Sequence, residues 1–250
     1  MASQPIYQFY TELKGYEPKV WRRFQVLNNI TVSQLGYILM TMYEMEARHL
    51  FSIEVPIRQN FALYMKKRNG CEIDIGFPNG VWRFGVDDEE KEDFFTSRGE
   101  VEERSFDATE CRMKDVLNDT PGEQLLFEYD YGDGWAIEIT LEGTFEDKTL
   151  PGRDLPRVLE GEGYGIIEDC GGVDGLRSVA EAFQQKSGIE YEQYCQWLGK
   201  TDLDLTAFDM EDINFRMKKV PRIYRELYEL GYAPSKRSIA FLERKYMKEK

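Results

Sequence analysis

One histidine, His49, stands among 250 residues, and that scarcity removes more functional classes than any motif adds. Zinc hydrolases and zinc modules draw most of their ligands from His and thiolate, and this chain has neither H-E-x-x-H nor C-x-x-C spacing, so no metal or other cofactor is expected. Cys71, Cys111, Cys170 and Cys195 lie far apart, which argues against a zinc ribbon or disulfide scaffold and for reduced thiols. Walker A, G-x-G-x-x-G and G-x-S-x-G are absent, leaving nucleotide kinases, Rossmann oxidoreductases and α/β-hydrolases without support. No apolar run reaches the roughly eighteen residues a membrane helix needs, and Met-Ala-Ser-Gln-Pro lacks the basic and apolar regions of a signal peptide. The expectation is a cytoplasmic protein with no membrane span.

Basic residues are also short overall. Lys and Arg number 32 against 46 Asp and Glu, a net charge of −14. Residues 216–250 hold eleven basic residues and four Glu, so removing that +7 leaves −21 on the other 215. An acidic body repels phosphates and suits a protein partner with a basic surface, whereas the tail 216–250 alone is suited to touch nucleic acid.

Enough remains to build a core, with 42% hydrophobic and 14% aromatic residues. Ile6–Leu13 and Lys19–Val26 read as strands, and Thr31-Val-Ser-Gln34 as a capping box opening a helix from about 32 to 45. Leu50–Val55, Asn60–Met65 and Glu72–Ile75 read as short strands and Val81–Phe84 as an edge. Residues 87–123 contain fourteen acidic and five basic side chains, read as a solvated insertion with one short helix between Ser105 and Leu117. Residues 124–142 form a hairpin. The Gly- and Pro-rich stretch 143–172 is the long loop in which a site is sought. Beyond 173 the periodicity is helical: Leu176, Val179, Ala180 and Phe183 form one stripe, Tyr191–Leu198 another short amphipathic turn, Asp209 caps a helix through Lys219, Pro221 and Gly231 bound the next, and Ser235 caps a last one with Ile239, Leu242 and Tyr246 inward. This predicts a single α+β domain: an antiparallel sheet within 1–172, one N-terminal helix, and a helical part 173–250 packed on it.

The hairpin Phe127-Glu-Tyr-Asp-Tyr-Gly-Asp-Gly-Trp135 can be placed in register from its side chains. A loop of Gly132, Asp133 and Gly134, with Gly134 left-handed, pairs Tyr131 with Trp135, Tyr129 with Ile137 and Phe127 with Ile139, gathering the apolar residues on one face. A two-residue loop would mix core with solvent, because a one-residue slip turns a strand over. The three-residue loop also sets Glu128 opposite Glu138, a repulsion that invites a cation.

These motifs together resemble the plasmid pRiA4b ORF-3-like proteins, a family found in bacteria and archaea and often beside mobile elements. The resemblance rests on Pro18-Lys-Val-Trp21-Arg22-Arg23, His49-Leu50, Tyr129 to Trp135, Glu168-Asp-Cys-Gly-Gly172, Trp197-Leu-Gly199 and Phe208-Asp209, in that order. It implies an α+β fold with an antiparallel sheet and packed helices, and no settled activity. Members commonly carry His two residues after the central Trp, Cys some twelve residues before Glu-Asp-Cys, and a Pro-Pro pair. Here Ile137, Val158 and Ile166-Ile167 stand there, so no role can rest on those positions.

Two functions follow as expectations. The first is a non-enzymatic protein-binding module linked to mobile elements, in one version an acidic inhibitor of a nucleic-acid-binding protein, with Trp21, Arg22, Arg23, Glu128 and Glu138 as binding residues. The alternative is a metal-dependent or cysteine hydrolase drawn from Asp130, Asp133, Glu168, Asp169, Cys170 and His49, in which residues 161–172 fold over the hairpin. Asp133 is better suited to bonding its own loop, and the competing place for Trp21 is the core.

Overall fold

The computed structural model describes residues 4–70, 79–86, 96–98 and 101–246. The chain opens with β1 (Ile6–Leu13) and β2 (Trp21–Leu27), followed by α1 (Val32–Met42). Thr31 and Gln34 make the expected capping box: Gln34 N donates to Thr31 Oγ1 (3.2 Å) and Thr31 N to Gln34 Oε1 (3.0 Å). Next come β3 (Phe51–Pro56), α2 (Ile57–Asn69), β4 (Asn79–Gly85), β5 (Thr96–Arg98), β6 (Val101–Asp107) and α3 (Met113–Val116). The hairpin strands β7 (Gln124–Tyr129) and β8 (Trp135–Phe145) lead to β9 (Arg157–Glu162). Five helices end the chain: α4 (Gly172–Gln185), α5 (Ile189–Leu198), α6 (Met210–Met217), α7 (Val220–Leu230) and α8 (Lys236–Leu242).

The α+β expectation holds. Among the described residues nine strands form one sheet, ordered β5-β6-β4-β3-β7-β8-β1-β2-β9. Every pairing is antiparallel except β4 with β6. Alternate residues of the central strands, among them Phe9, Phe24, Ile53, Phe127, Trp135 and Ile137, are fully buried. Helix α1 packs with β3, α6 and α7, while α6 also meets β9. The opposite residues carry charge, as in Arg23 with Glu142 (2.8 Å) and Arg83 with Glu128 (3.8 Å). A half-wet antiparallel sheet shows this alternation.

Several expected elements are corrected. Asn60–Met65 lies inside α2, not in a strand: Gln, Ala, Leu, Met, Lys and Arg favour helix, Gly70 closes it at φ 71°, and Lys66, Lys67 and Arg68 sit in its last turn. Val81–Phe84 is an interior part of β4, because β6 pairs beyond it. The reading of 87–123 as an insertion therefore fails for 96–98 and 101–107, whose backbone joins the sheet and whose Phe106 stacks on Phe84 at 5.3 Å. Met113–Val116 is the short helix expected there. Glu72–Ile75 and Cys71 lie outside the described residues. In α8 Ser235 caps as expected (Ser238 N to Oγ, 3.1 Å), but Ile239 and Tyr246 are 41% and 36% exposed rather than inward.

The hairpin register is also corrected. Tyr129 faces Trp135, Phe127 faces Ile137 and Leu125 faces Ile139, so the loop is five residues long, 130–134. The shift is by two residues. Parity survives, and the apolar face remains the buried one, but Tyr131 leaves it for solvent. Glu128 now faces Ala136 and Glu138 faces Leu126, which dissolves the expected repulsion. Each acid lies near a cation instead: Arg83, whose closer partner is Glu54, stands 3.8 Å from Glu128, and Lys14 stands 3.6 Å from Glu138.

Candidate metal centre

Backbone geometry at the end of β7 explains the longer loop. Asp130 continues the pairing with β3, its N–H donating to Leu50 O (3.0 Å), and then turns at φ 52°. Its Oδ1 accepts from Gly132 N (3.1 Å) and Asp133 N (3.4 Å), while Gly134 N closes the turn on Asp130 O (2.6 Å). Asp130, not Asp133, thus supplies the self-bonded loop. One carboxylate oxygen is spent holding the turn. The other, Oδ2, lies 3.5 Å from His49 Nε2.

Two further loops converge there. After α1, the stretch 43–50 carries left-handed Glu44 (φ 63°) and Ala47 (φ 60°) and delivers His49 beside β3. After β9, the segment 163–171 binds that stretch through Ile166 N to Tyr43 O (2.9 Å), then places Glu168 and left-handed Asp169 (φ 60°) against the hairpin loop. Gly171 N donates to Asp133 Oδ2 (3.2 Å), clipping the two loops together. The expected folding of the 161–172 segment over the hairpin holds for its end, 168–171, whereas Gly161 and Glu162 pair with β2. Left-handed conformations at non-glycine residues are strained, and two of them fall on residues of this cluster, Asp130 and Asp169.

The convergence puts the single imidazole among three carboxylates. His49 Nε2 lies 3.5 Å from Asp130 Oδ2, 3.6 Å from Asp169 Oδ1 and 3.9 Å from Glu168 Oε2. One ligand atom each from His49, Asp130 and Asp169 falls within 4.8 Å of the others. These separations exceed hydrogen-bond range. The 3.5 and 3.6 Å separations of His49 Nε2 from Asp130 and Asp169 sit close to the ~3.4 Å expected between neighbouring vertices of a tetrahedron whose metal–ligand bonds are about 2.1 Å. His49 Nε2 and Glu168 Oε2 are buried with no hydrogen-bond partner among the described residues. Buried polar atoms without a hydrogen bond are uncommon, and these two lie 3.9 Å apart within the cluster.

Glu168 is the deepest member, its side chain 3% exposed, against 11% for Asp130 and 56% for Asp169. Its Oε1 accepts from the Tyr129 hydroxyl and from Glu46 N (2.6 Å), and the Tyr129 oxygen accepts in turn from Arg48 N (3.1 Å). Burial raises the Glu168 carboxyl above its ordinary range, and those two donors only partly offset the rise. Tyr129 is pushed far up by burial and by Glu168, so its hydroxyl keeps its proton as a fixed donor. Its ring also meets His49 edge-on, centroids 5.7 Å apart. Tyr129 was legible only as a core residue of the hairpin; nothing in its spacing pointed to Glu168, 39 residues on.

Cys170 is not drawn in. Its thiol donates to Gly172 O (3.5 Å), and burial with nearby Asp133 pushes it up to about 12. It is a neutral thiol at ordinary pH, the opposite of an activated nucleophile. Among the expected binding residues, Arg22 is fully buried and donates to the carbonyls of Trp21, Met42, Glu162, Gly163 and Tyr164 between the rings of Tyr43 and Phe208. That burial removes it from any contact surface. Arg23 pairs with Glu142 and Glu160, and Trp21 stacks on Tyr10 at 5.5 Å while its indole N–H donates to Glu162 (3.2 Å).

Comparison with known proteins agrees with this fold. The sequence profile described as "Plasmid pRiA4b ORF-3-like protein" matches residues 5–216. The chain is similar to "Uncharacterized protein y4hQ" of Sinorhizobium fredii, 27% identical over 202 residues that cover 81% of this chain and 85% of that one. The crystal structure of a protein of unknown function, MM3350 from Methanosarcina mazei Go1, superposes with a TM-score of 0.62 at 22% identity, covering 84% of this chain and 97% of that one. No helix among the described residues is long and apolar enough to cross a membrane.

Proposed function

The chain belongs to the plasmid pRiA4b ORF-3-like family, and from that premise together with the geometry of its three loops we propose that it is a metal-dependent hydrolase. Its divalent cation would be held by His49, Asp130 and Asp169. The observation that carries this reading is the buried His49 Nε2, which has no hydrogen-bond partner among the described residues and lies 3.5 and 3.6 Å from Asp130 Oδ2 and Asp169 Oδ1, with the likewise unbonded Glu168 Oε2 3.9 Å away. One imidazole with carboxylates suits zinc, manganese or iron better than calcium, which takes oxygen ligands alone.

A cation there would acidify a bound water and supply a nucleophile at neutral pH. Glu168, its raised carboxyl oriented by Tyr129, is then the group placed to accept that proton through its free oxygen. Tetrahedral binding by three side chains leaves one position for water or substrate. Asp169, more than half exposed, marks the side from which a substrate would enter.

Elemental analysis of the purified protein, followed by calorimetric titration of the chelator-treated protein with zinc and manganese, tests the reading. About one ion per chain is expected, with affinity falling at least tenfold in Asp130→Asn and in His49→Gln. A folded protein that binds neither metal would remove the basis of the proposal. Ester and phosphodiester reporters then separate a hydrolase from a metal-stabilised binding protein.

A second reading, a protein-binding module linked to mobile elements, is favoured by a different observation. Tyr131 and Leu50 are 56% and 46% exposed at the rim of the site, on a body of strongly negative charge. An aromatic anchor beside acidic groups fits a basic protein surface. Capture of a partner at low ionic strength that is lost in Tyr131→Ala would support it. Unchanged capture by that variant would count against this surface.

A further inference from the structure

The charge of the molecule reverses at its C-terminal end, and the reversal is concentrated in one groove. Between α7 and α8 lies a cavity of about 670 Å³ lined by Lys218, Lys219, Arg222, Arg237 and Lys245, with Glu226 the one carboxylate in its wall among the described residues. Glu226 is engaged by Arg222 (3.0 Å), and Lys245 pairs with Glu243 (2.6 Å). Lys218, Lys219 and Arg237 have no carboxylate within ion-pair distance among the described residues.

Aromatic rings continue from the wall of this groove. Phe241 and Tyr246 line it and pack at 5.0 Å, and Phe215 meets them at 5.5 and 5.1 Å. Phe215 is 43% exposed, and the Lys219 ammonium stands 5.5 Å from its ring and 5.0 Å from that of Phe241. The platform is anchored. Tyr246 donates to Asp212 (2.5 Å), which also takes Arg244 (2.8 Å), and Arg244 reaches Glu44 (2.6 Å) near the C-terminal end of α1. Asp212 and Glu44 are themselves buried, so this network ties the rings to the fold.

We propose that this groove binds single-stranded nucleic acid, with phosphates on Lys218, Lys219 and Arg237 and bases against Phe215, Phe241 and Tyr246. Free cations beside accessible ring faces are the combination that recognises unpaired bases and their backbone together. A duplex hides its base faces, and its second row of phosphates would meet the acidic body. The inference is independent of the metal centre.

The test is fluorescence anisotropy of a labelled oligothymidine of about twelve nucleotides with the full-length protein, at low and moderate salt. Saturable binding is expected, with a logarithmic salt slope near −2, the value for about three phosphates on a single strand. Combined Lys218→Glu, Lys219→Glu and Arg237→Glu substitutions should weaken binding at least tenfold, and Phe215→Ala several-fold at an unchanged salt slope. All four positions are exposed, and unaltered thermal unfolding verifies that the variants fold. Absence of binding at low salt, binding unaffected by the charge reversals, or a duplex of the same length bound as tightly as the single strand would each overturn the proposal.

Discussion

Neighbouring glycines in the 168–172 segment allow a sharp test of how the site is assembled. Gly171 and Gly172 both have left-handed backbones, φ 90° and 69°. Alanine at either position carries the left-handed penalty of about 1–2 kcal/mol. The surroundings differ. A Cβ on Gly171 meets nothing within 4 Å, whereas one on Gly172 falls 2.4 Å from the Asp133 carbonyl oxygen. That contact must open by nearly an ångström, and the atom that moves belongs to the loop whose Asp133 carboxylate binds Gly171 N. Overpacking of this kind costs about 1–3 kcal/mol. Gly172→Ala should therefore melt below Gly171→Ala by roughly 2–12 °C, at about 2–4 °C per kcal/mol for a chain of this size. It should also lose metal affinity, because Asp130 sits in the displaced loop while Gly171→Ala leaves that loop in place. Thermal unfolding by circular dichroism and calorimetric metal titration read the two effects. If both variants melt within about 1 °C of each other, a difference too small for any clash, the close docking of the two loops is refuted.

Other outcomes follow from the same geometry. Trp135 is fully buried opposite Tyr129, so Trp135→Ala should cost about 3–5 kcal/mol in denaturant unfolding, while Glu138→Ala, 60% exposed and beside Lys14, should stay within about 0.5 kcal/mol. Comparable values for the two would contradict the observed face assignment. Between the ordinary carboxylate range and the raised value of Glu168, the native protein holds a proton that the unfolded chain has released, so its stability falls as pH rises through that window. Glu168→Gln should flatten this fall in chelator-treated protein, measured as Tm against pH; an unchanged slope would show that Glu168 does not titrate there. Because the Cys170 thiol is pushed up to about 12, alkylation near pH 8 should label it far more slowly in the native than in the unfolded protein, and rapid native labelling detected by mass spectrometry would refute its burial as a neutral thiol.

The amino-acid sequence by itself determined what depends on neighbours a few residues apart. The Thr31 box, the Asp209 and Ser235 caps, the Pro221 start and the Gly231 stop all lie where local hydrogen bonding requires them. The two-residue period placed the hairpin's buried face correctly even though its register was off by two, since an even slip preserves parity. Other elements lay beyond such reasoning. Asn60–Met65 is short enough to read as strand or helix, and its choice follows from the whole of Ile57–Asn69 with its Gly70 stop. Residues 96–98 and 101–107 carry too much charge to look like strands and enter the sheet by pairing beside β4. The site is the extreme case. His49, Asp130 and Asp169 each occupy an irregular loop, and spacing along the chain says nothing about their separation in space. Tertiary structure alone brings them within 4.8 Å, because the sheet order sets β3 beside β7 and the segment after β9 crosses back over the end of α1. Chain order carries no record of that crossing, whose free energy lies in long-range contacts that local patterns do not encode.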